Sequence, residues 1–348
     1  MPNKQSHEAP DTRPATLTVV IPTLGRRCLI NALRSLVDVE GFDGLLVLVC
    51  GAVADESVRA DFLRLMAEHP NIANPPESLG LRSLHEKRNL GWRLARTELV
   101  AYLDDDVVVD RAWARRILEP FADPRVGIVS GPGLIPEQLG RTARLAGLAL
   151  SSGATGYVAD RYRRSEQAVR EIKWSQIIGC NMALRRGLLE EVGGFNPFFE
   201  AGDEMFISYS ICSRGYRIVF ASEARVLHYP RASLKGFVRQ IYGYGDTRIR
   251  LIRNKVAVEP TTLVPAFLVL SVAVLGVIAP FWSVARWLLV VELAVYLVGV
   301  AWVVGSIVAR TRRGGDLLLL GLVPLMHAVY GAAEWKEVFC PRRRPLTA

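Results

Sequence analysis

The sequence has few cysteines, and none is placed to form a disulfide framework or a zinc site. Its 348 residues contain five cysteines, with no Cys-x-x-Cys pair and no histidine partners at metal-binding spacing. They are scattered at Cys28, Cys50, Cys180, Cys212 and Cys340. This pattern is typical of a protein that works in a reducing compartment.

Charge is also missing from long parts of the C-terminal third. No charged residue lies between Glu259 and Arg286, residues 287–309 carry only Glu292, and residues 317–333 form a third, shorter apolar stretch. About 20 apolar residues suffice for a helix to cross a bilayer. The first two stretches predict transmembrane helices, whereas the third is equally compatible with crossing and with lying at the interface.

Two polar residues interrupt these apolar stretches, Glu292 and His327. A carboxyl or an imidazole group is costly to place in lipid. We therefore expect both side chains to face protein, and we assign neither a catalytic role.

Basic residues are concentrated just before the first apolar stretch. Between Arg231 and Lys255 there are seven Lys and Arg residues against one acid, and the whole chain has a net charge of +9. Such a segment marks the cytoplasmic side of a membrane and attracts anionic lipid. We therefore expect membrane lipid and no nucleic acid as partner, in a multi-pass protein of the inner (cytoplasmic) membrane with Arg310–Arg313 inside. A third crossing would place Arg342–Arg344 outside, against this rule, so the topology of the last stretch stays open.

Short apolar runs alternate with amphipathic segments in the first 230 residues. Strands are predicted at residues 17–21, 45–49, 99–103 and 126–130, and helices at residues 29–36 and 58–68. This alternation indicates an α/β domain with a mostly parallel sheet flanked by helices. Residues 131–165, which Pro, Gly and Arg interrupt, are expected to form loops and irregular crossing segments.

Three consecutive carboxylates, Asp104-Asp105-Asp106, follow the third predicted strand. Acids this close repel one another unless a cation lies among them. Open α/β sheets bind ligands at the carboxyl ends of their strands. Carboxylate oxygens suit Mg²⁺ or Mn²⁺, which can bridge to a diphosphate. The run therefore predicts a divalent-metal site, with a solvated acidic turn as the alternative.

A second acidic pair, Asp203-Glu204, follows the aromatic residues Phe198-Phe199. Desolvation beside such neighbours raises the pKa of a carboxyl group towards the range of a general base. Taken alone, the pair is equally compatible with an N-terminal helix cap that uses Asp203.

Together these motifs resemble family 2 glycosyltransferases, which have the GT-A fold, a Rossmann-like sheet. Counting back from Gly215-Tyr216 places Asp203-Glu204 on the acidic pair of that family, with Glu204 at the catalytic-base position. The likeness extends from residue 17 to about residue 255. Its other segments are Val19-Val20-Ile21-Pro22-Thr23, Lys87-Arg88-Asn89-Leu90-Gly91, Asp104-Asp105-Asp106, Gly179-Cys180-Asn181-Met182-Ala183-Leu184-Arg185-Arg186 and Gly193-Gly194-Phe195.

The resemblance implies a role for each matching residue. Glu204, or else Asp203, is expected to be the catalytic base, and Asp104 and Asp106 are expected to bind Mn²⁺ or Mg²⁺. The residues expected to contact the nucleotide-sugar are Pro22, Thr23, Arg26, Asp55, Arg88, Asn89 and Asp105. Those expected near the acceptor or donor sugar are Trp174, Gly179, Asn181 and His228. The alternatives are a surface ion pair for Arg88, a structural role for His228 and a core position for Trp174.

Three segments depart from the family pattern. The second strand ends in Val49-Cys50-Gly51 instead of an acidic pair, so only Asp55 remains near the expected base and ribose, and the nucleobase is not identified. The pair at residues 203–204 reads Asp-Glu instead of Glu-Asp, which leaves the identity of the base open. Of the QxxRW segment of processive members only Gln240 remains, which argues against a polymer synthase.

The resemblance implies inverting transfer of a sugar from a nucleotide-sugar donor to a hydroxyl group, in cell-envelope or exopolysaccharide synthesis. The membrane region suggests a lipid-linked saccharide as acceptor. The alternatives are a membrane-tethered nucleotidyltransferase and an inactive glycosyltransferase-like binding protein. The expected organisation is a disordered segment (1–16), a cytoplasmic catalytic domain (17–230), a basic juxtamembrane segment (231–260), a membrane region of two or three helices (261–335) and a basic tail (336–348).

Overall fold

Two β-sheets form the frame of the N-terminal domain. The computed structural model describes residues 16–163 and 165–342, so the segment predicted to be disordered lies, apart from Thr16, outside the described residues. Within the described ranges the strands are β1 (Leu17–Pro22), β2 (Leu45–Cys50), β3 (Ile72–Ala73), β4 (Leu99–Leu103), β5 (Val107–Val109), β6 (Val126–Ser130), β7 (Gly133–Leu134), β8 (Val169–Glu171), β9 (Asn181–Arg185), β10 (Arg217–Ala221) and β11 (Val226–His228).

Helices connect these strands and continue into the C-terminal third. Over the same described ranges they are α1 (Cys28–Val37), α2 (Glu56–Glu68), α3 (Leu84–Leu94), α4 (Trp113–Leu118), α5 (Arg141–Leu150), α6 (Arg186–Val192), α7 (Asp203–Cys212), α8 (Leu234–Arg253), α9 (Val264–Ile278), α10 (Ser283–Thr311) and α11 (Leu319–Phe339). The prediction of only loops and irregular segments over residues 131–165 is wrong, because α5 lies there. Its alanines and leucines bury one face, and this packing outweighs the low helix propensity of Gly147.

The larger sheet has the order β3-β2-β1-β4-β9-β6-β10-β8. Strand β1 runs parallel to both neighbours, with Leu17 opposite Leu45 of β2 and Leu99 of β4. The pairs β2–β3 and β6–β10 are also parallel, while β9 and β8 run antiparallel to their neighbours. The predicted α/β class with a mostly parallel sheet is confirmed. Its parallel register brings the turn after Pro22 and the acidic run after Leu103 to the same edge.

The smaller sheet has the order β5-β11-β7 and lies directly after the acidic run. Strand β11 pairs antiparallel with β5, so that His228 lies opposite Val107, the residue after Asp106. The backbone N–H of Tyr229 also donates to the carbonyl of Asp106 at 3.1 Å. This pairing brings His228 next to Asp106, although more than one hundred residues separate them in the sequence.

Three C-terminal helices are long and apolar enough to cross a membrane: Pro260–Ile278, Ser283–Thr311 and Gly314–Phe339. The first two are largely exposed, with side chains such as that of Trp302 80% accessible, whereas the third is more buried against the protein. Both polar residues in the apolar stretches face protein, as predicted. Ser271 donates to Glu292, and His327 contacts Tyr296 and the carbonyl of Ala154, each at 2.9 Å.

Helix α8 occupies most of the basic juxtamembrane segment and packs against α11. The contact is close because a Cβ atom at Gly245 would lie 2.3 Å from the carbonyl oxygen of Tyr330. Helix α11 continues to Phe339, past the predicted boundary at residue 335. The two helices join the N-terminal domain to the membrane region along a shared face.

Candidate active site

Asp104 and Asp106 lie in the turn between β4 and β5, and His228 ends β11. One potential ligand atom from each of the three lies within 4.8 Å of the others. Oδ1 of Asp106 and Nδ1 of His228 are buried and have no hydrogen-bond partner in the described part of the chain. Oxygen and imidazole ligands with unused lone pairs suit a divalent ion such as Mn²⁺. This cluster therefore fits the predicted metal site and adds His228, which the sequence assigned to the sugar.

Two arginines and a histidine surround Asp106. Nη2 of Arg26 lies 3.1 Å and Nη1 of Arg231 3.5 Å from Oδ2, and Nε2 of His228 lies 3.6 Å from Oδ1. Burial raises the pKa of Asp106, and the charge of His228 opposes this shift. The side chains of Arg26 and Arg231 are 42% and 46% exposed, so both can also reach an anionic ligand at this corner.

Asp105 holds the turn between β1 and α1. Its Oδ2 accepts from the hydroxyl of Thr23 at 2.7 Å and from the backbone N–H of Leu24 at 3.2 Å, and its Oδ1 contacts Arg26. The carboxylate is almost fully buried. The predicted nucleotide residues Thr23 and Asp105 are thus bonded to each other and shape the loop that follows Pro22.

Arg88 connects the acidic run that follows β4 with the acidic pair that begins α7. Its Nη1 donates to both carboxylate oxygens of Asp203, at 3.1 and 3.0 Å. Its Nη2 donates to Asp104 at 3.3 Å and to the carbonyl of Gly179 at 3.2 Å. The side chain is buried, so the ion pair considered for Arg88 lies inside the protein and not at its surface. A Cβ atom at Gly179 would lie 3.3 Å from Nη2, which leaves little room for another residue.

Asp203 and Glu204 begin α7, with Gly202 at the N-cap position. Asp203 is buried against Arg88 and also contacts Nε2 of His85 at 3.4 Å. Burial, together with the adjacent negative charge of Asp203, raises the pKa of Glu204 to about 7. Burial and the charge of Arg88 lower the pKa of His85 to about 4, so this imidazole is neutral at pH 7. The pair thus combines a carboxylate held by Arg88 with a carboxyl group that titrates near neutral pH.

A cavity of about 440 Å³ extends from Glu204 to the apolar helices. Helices α9, α10 and α11 contribute to its wall, and most of the wall is apolar. The residues that line this cavity include Arg161, Glu204, Met205, Leu268, Tyr296 and His327. The cavity joins the acidic pair of α7 to the apolar C-terminal helices.

Two of the residues predicted at the site have their side chains engaged in the scaffold. Oδ1 of Asn89 accepts from the backbone N–H of Phe195 at 2.8 Å, and its Nδ2 donates to the carbonyl of the same residue at 2.8 Å. Asn181 is fully buried, accepts from Nε1 of Trp113 at 2.9 Å and donates to the carbonyl of Ala224 at 2.7 Å. The hydrogen bonds of both amides stabilise the segments around the acidic residues.

Two further predicted residues lie in ordinary structural positions. The carboxylate of Asp55 caps α2 by accepting from the backbone N–H groups of Ser57 and Val58. Trp174 is half-buried and packs edge-to-face against Tyr209, which agrees with the core alternative. Neither contact involves the acidic pairs.

Several residues of the site were not predicted. Arg161 lines the cavity, His85 contacts Asp203, and Arg231 approaches Asp106. His85 precedes the Lys87–Gly91 motif by two residues, and its position at the start of α3 was the available signal. Arg231 was assigned to a lipid-binding segment because it lies in a basic run. Arg161 follows no pattern in the sequence.

The chain belongs to family 2 of the glycosyltransferases. The family model described as "Glycosyltransferase like family 2" matches residues 14–243, which include the acidic residues of the site together with Arg88, Arg161 and His228. This match confirms the resemblance inferred from the motifs.

Curated relatives with known roles are similar to this chain. A pre-mycofactocin glycosyltransferase of Mycobacterium tuberculosis is 26% identical over 248 residues, which are 70% of this chain and 49% of that protein. The succinoglycan biosynthesis protein ExoA of Rhizobium meliloti is 24% identical over 168 residues, which are 48% of this chain and 49% of that protein. The O-antigen biosynthesis protein RfbC of Myxococcus xanthus is 26% identical over 42% of this chain and 12% of its own length. The chain spans about half the length of the first of these relatives.

A solved structure shares the fold. The mannosyltransferase PcManGT from Pyrobaculum calidifontis, in complex with GDP-Man and Mn²⁺, superimposes with a TM-score of 0.57 at 20% identity. The match covers 95% of this chain and 89% of that one, so it includes the C-terminal helices. The GT-A fold prediction is thereby confirmed.

Proposed function

We propose that the protein is a membrane-anchored inverting glycosyltransferase that moves a sugar from a nucleotide-sugar donor to a hydroxyl group of a lipid-linked saccharide. The cavity that leads from Glu204 to the apolar helices carries this proposal, because it offers an acceptor a path from lipid to a titratable carboxyl group. The relatives named for O-antigen and succinoglycan biosynthesis support a role in cell-envelope or exopolysaccharide synthesis.

Asp104, Asp106 and His228 would hold Mn²⁺ or Mg²⁺ on the donor side of Arg88. A bound ion of this kind stabilises the charge of a departing nucleoside diphosphate as a Lewis acid. The partly exposed guanidinium groups of Arg26 and Arg231 add positive charge for the same phosphates. The GDP-Man bound to PcManGT supports a nucleotide-sugar as the donor class.

Glu204 is the proposed general base on the acceptor side. In its ionised form it takes the proton of the acceptor hydroxyl while that oxygen attacks the anomeric carbon. The bond from this carbon to the donor phosphate breaks on the opposite face, so the configuration inverts. Asp203 is the weaker candidate, because both of its oxygens accept hydrogen bonds from Arg88. Arg88, which contacts Asp104 as well, fixes the separation between the metal ligands and the base.

We further propose two membrane crossings, by α9 and α10, with α11 lying along the cytoplasmic domain. Contacts with that domain occur just before α11 (Arg144 with Asp316), in its middle (His327 with Ala154) and after its end (Arg342 with Glu200). A 21-residue helix is ~30 Å long, so a crossing helix would carry its far end away from the domain. Two crossings also leave Arg342 on the cytoplasmic side of the inner membrane, as the positive-inside rule favours.

The direct test is hydrolysis of a panel of nucleotide-sugars, GDP-Man included, by the full chain in liposomes with and without Mn²⁺. We expect slow, Mn²⁺-dependent release of the nucleoside diphosphate from one donor class, accelerated by lipid extracts that contain acceptor. Turnover of a nucleoside triphosphate with a sugar phosphate would indicate a nucleotidyltransferase. Absence of any turnover would indicate an inactive binding protein.

A further inference from the structure

The cavity beside Glu204 contains a buried arginine without an acidic partner. Arg161 is 7% exposed and lies near the end of the 3₁₀ segment Gly153–Tyr162. Its Nη2 donates to the carbonyl of Ser175, while its Nε is buried without a hydrogen-bond partner among the described residues. Among the residues that the structure describes, no carboxylate forms an ion pair with Arg161. A guanidinium group in this setting is ready to bind an anion.

Burial of a cation without a counter-ion opposes folding, because water no longer solvates the charge. Glu204 lies close enough for the charge of Arg161 to lower its pKa, against the larger effect of burial. A base that must alternate between charged and neutral forms is a poor permanent counter-ion. An anionic ligand in the cavity would neutralise Arg161 without taking the lone pair that Glu204 needs.

A second buried arginine lies on the same cavity. Arg248 of α8 is 6% exposed, and its Nε donates to the hydroxyl of Tyr330 on α11 at 3.1 Å. Arg161 and Arg248 therefore place two guanidinium groups on a wall that is otherwise mostly apolar. Planar guanidinium groups in a desolvated site favour phosphate, which they can bind through several N–H groups.

The rest of the cavity continues towards lipid. Val264, Pro265 and Leu268 of α9 and Met326 of α11 line it as well. A volume of about 440 Å³ is typical of a site for one small ligand, and it suits a phosphate group with the first part of an attached chain. The remainder of such a chain would lie among the membrane helices.

We propose that this cavity is a subsite for a lipid phosphate, in which Arg161 binds the phosphate or diphosphate that joins the acceptor saccharide to its lipid. Arg248 is the second cationic residue of the cavity wall, and α9 and α11 enclose the beginning of the apolar chain. The inference rests on the proposed function, and it narrows the acceptor from any lipid-linked saccharide to one linked through phosphate.

Binding of farnesyl phosphate, its neutral counterpart farnesol and inorganic phosphate to the detergent-purified full chain tests the subsite. We expect farnesyl phosphate to bind at least ten times more tightly than either other probe. Arg161→Gln should weaken its binding at least tenfold and leave farnesol unaffected. Arg161→Lys should give an intermediate affinity. Arg163→Gln, which removes an exposed arginine from the same region, is the matched control and should bind like the native chain.

Equal binding of farnesyl phosphate and farnesol, or an unchanged affinity in folded Arg161→Gln, would overturn the subsite. Equal binding of inorganic phosphate would overturn its lipid part. If Arg161→Gln does not fold, the comparison of Arg161→Lys with the native chain decides, and an unchanged affinity there counts against the proposal. Mn²⁺-dependent donor hydrolysis by the native chain is measured separately. Its absence, with lipid-phosphate binding intact, would refute the proposed transferase and leave the subsite standing.

Discussion

The two acidic pairs of the site touch the same arginine but lie in opposite surroundings. Asp104 and Asp106 lie beside an imidazole and two partly exposed arginines, whereas Asp203 and Glu204 lie between Arg88 and a mostly apolar cavity. Carboxylates among cations and unused lone pairs suit a metal and a diphosphate. A desolvated carboxyl group beside a like charge holds its proton to higher pH. In the proposed function, the difference in environment, more than residue type, assigns donor binding to the first pair and proton transfer to the second.

The largest expected effect is that of Asp106→Asn. Replacing this buried carboxylate should abolish Mn²⁺-dependent donor binding, because an amide oxygen is a far weaker metal ligand than a carboxylate. Calorimetric titration of the donor with and without Mn²⁺ measures the effect, and circular dichroism checks the fold. The matched control is Asp43→Asn, an exposed acid just before β2, at the opposite edge of the sheet. Unchanged donor affinity in Asp106→Asn would remove the metal assignment.

Glu204→Gln should separate the second pair from the first. We expect a loss of ~100-fold or more in turnover, the usual scale for a general base, with donor affinity nearly unchanged. Steady-state transfer rates and donor calorimetry on the same preparation give both quantities. Should Asp203→Asn lose activity while Glu204→Gln stays active, the two residues exchange roles.

If the two pairs divide the reaction as proposed, the cavity beside Glu204 must face the cytoplasmic side of the bilayer. With the other native cysteines replaced, Cys340 and an introduced Gly314→Cys should react with an impermeant maleimide only after the cell membrane is opened. Ser283→Cys, between α9 and α10, should react in intact cells. All three positions are exposed. Reaction of Cys340 from outside would mean that α11 crosses the membrane, and reaction at residue 314 would reverse the orientation.

The smallest effect is expected at Asp55, an acid in a third environment. Its pKa is lowered by hydrogen bonds from Ser57 and Val58 in the cap of α2. Its contribution to stability is therefore present at neutral pH and is lost as the pH falls through this lowered pKa. Asp55→Ala should lower the melting temperature slightly at pH 7, less so at acidic pH, and leave donor affinity unchanged. A clear loss of donor affinity would restore Asp55 to the nucleotide site.

Much of the fold could be predicted because its signals are local. The apolar runs of β1, β2, β4 and β6, and the long apolar stretches of α9 and α10, are read directly from the sequence. The motifs also identified both acidic pairs.

Side-chain partners could not be predicted, since they depend on contacts between distant segments. His228 reaches Asp106 only through the pairing of β11 with β5, and Arg161 reaches the cavity through a 3₁₀ segment. Asn89 and Asn181 matched the motifs, yet their amides serve the scaffold.

The pH dependence of single-turnover transfer, at saturating donor and Mn²⁺, tests the division between the two pairs most directly. Glu204 must be ionised to accept a proton, so the rate should rise with pH around a midpoint of about 7. Glu204→Gln should lose this rise. In Asp203→Asn the midpoint should move to lower pH, because the charge of Asp203 raises the pKa of Glu204. A midpoint near 4.5, the ordinary value for a glutamic acid, or the same rise in Glu204→Gln, would contradict the assignment of Glu204 as the base.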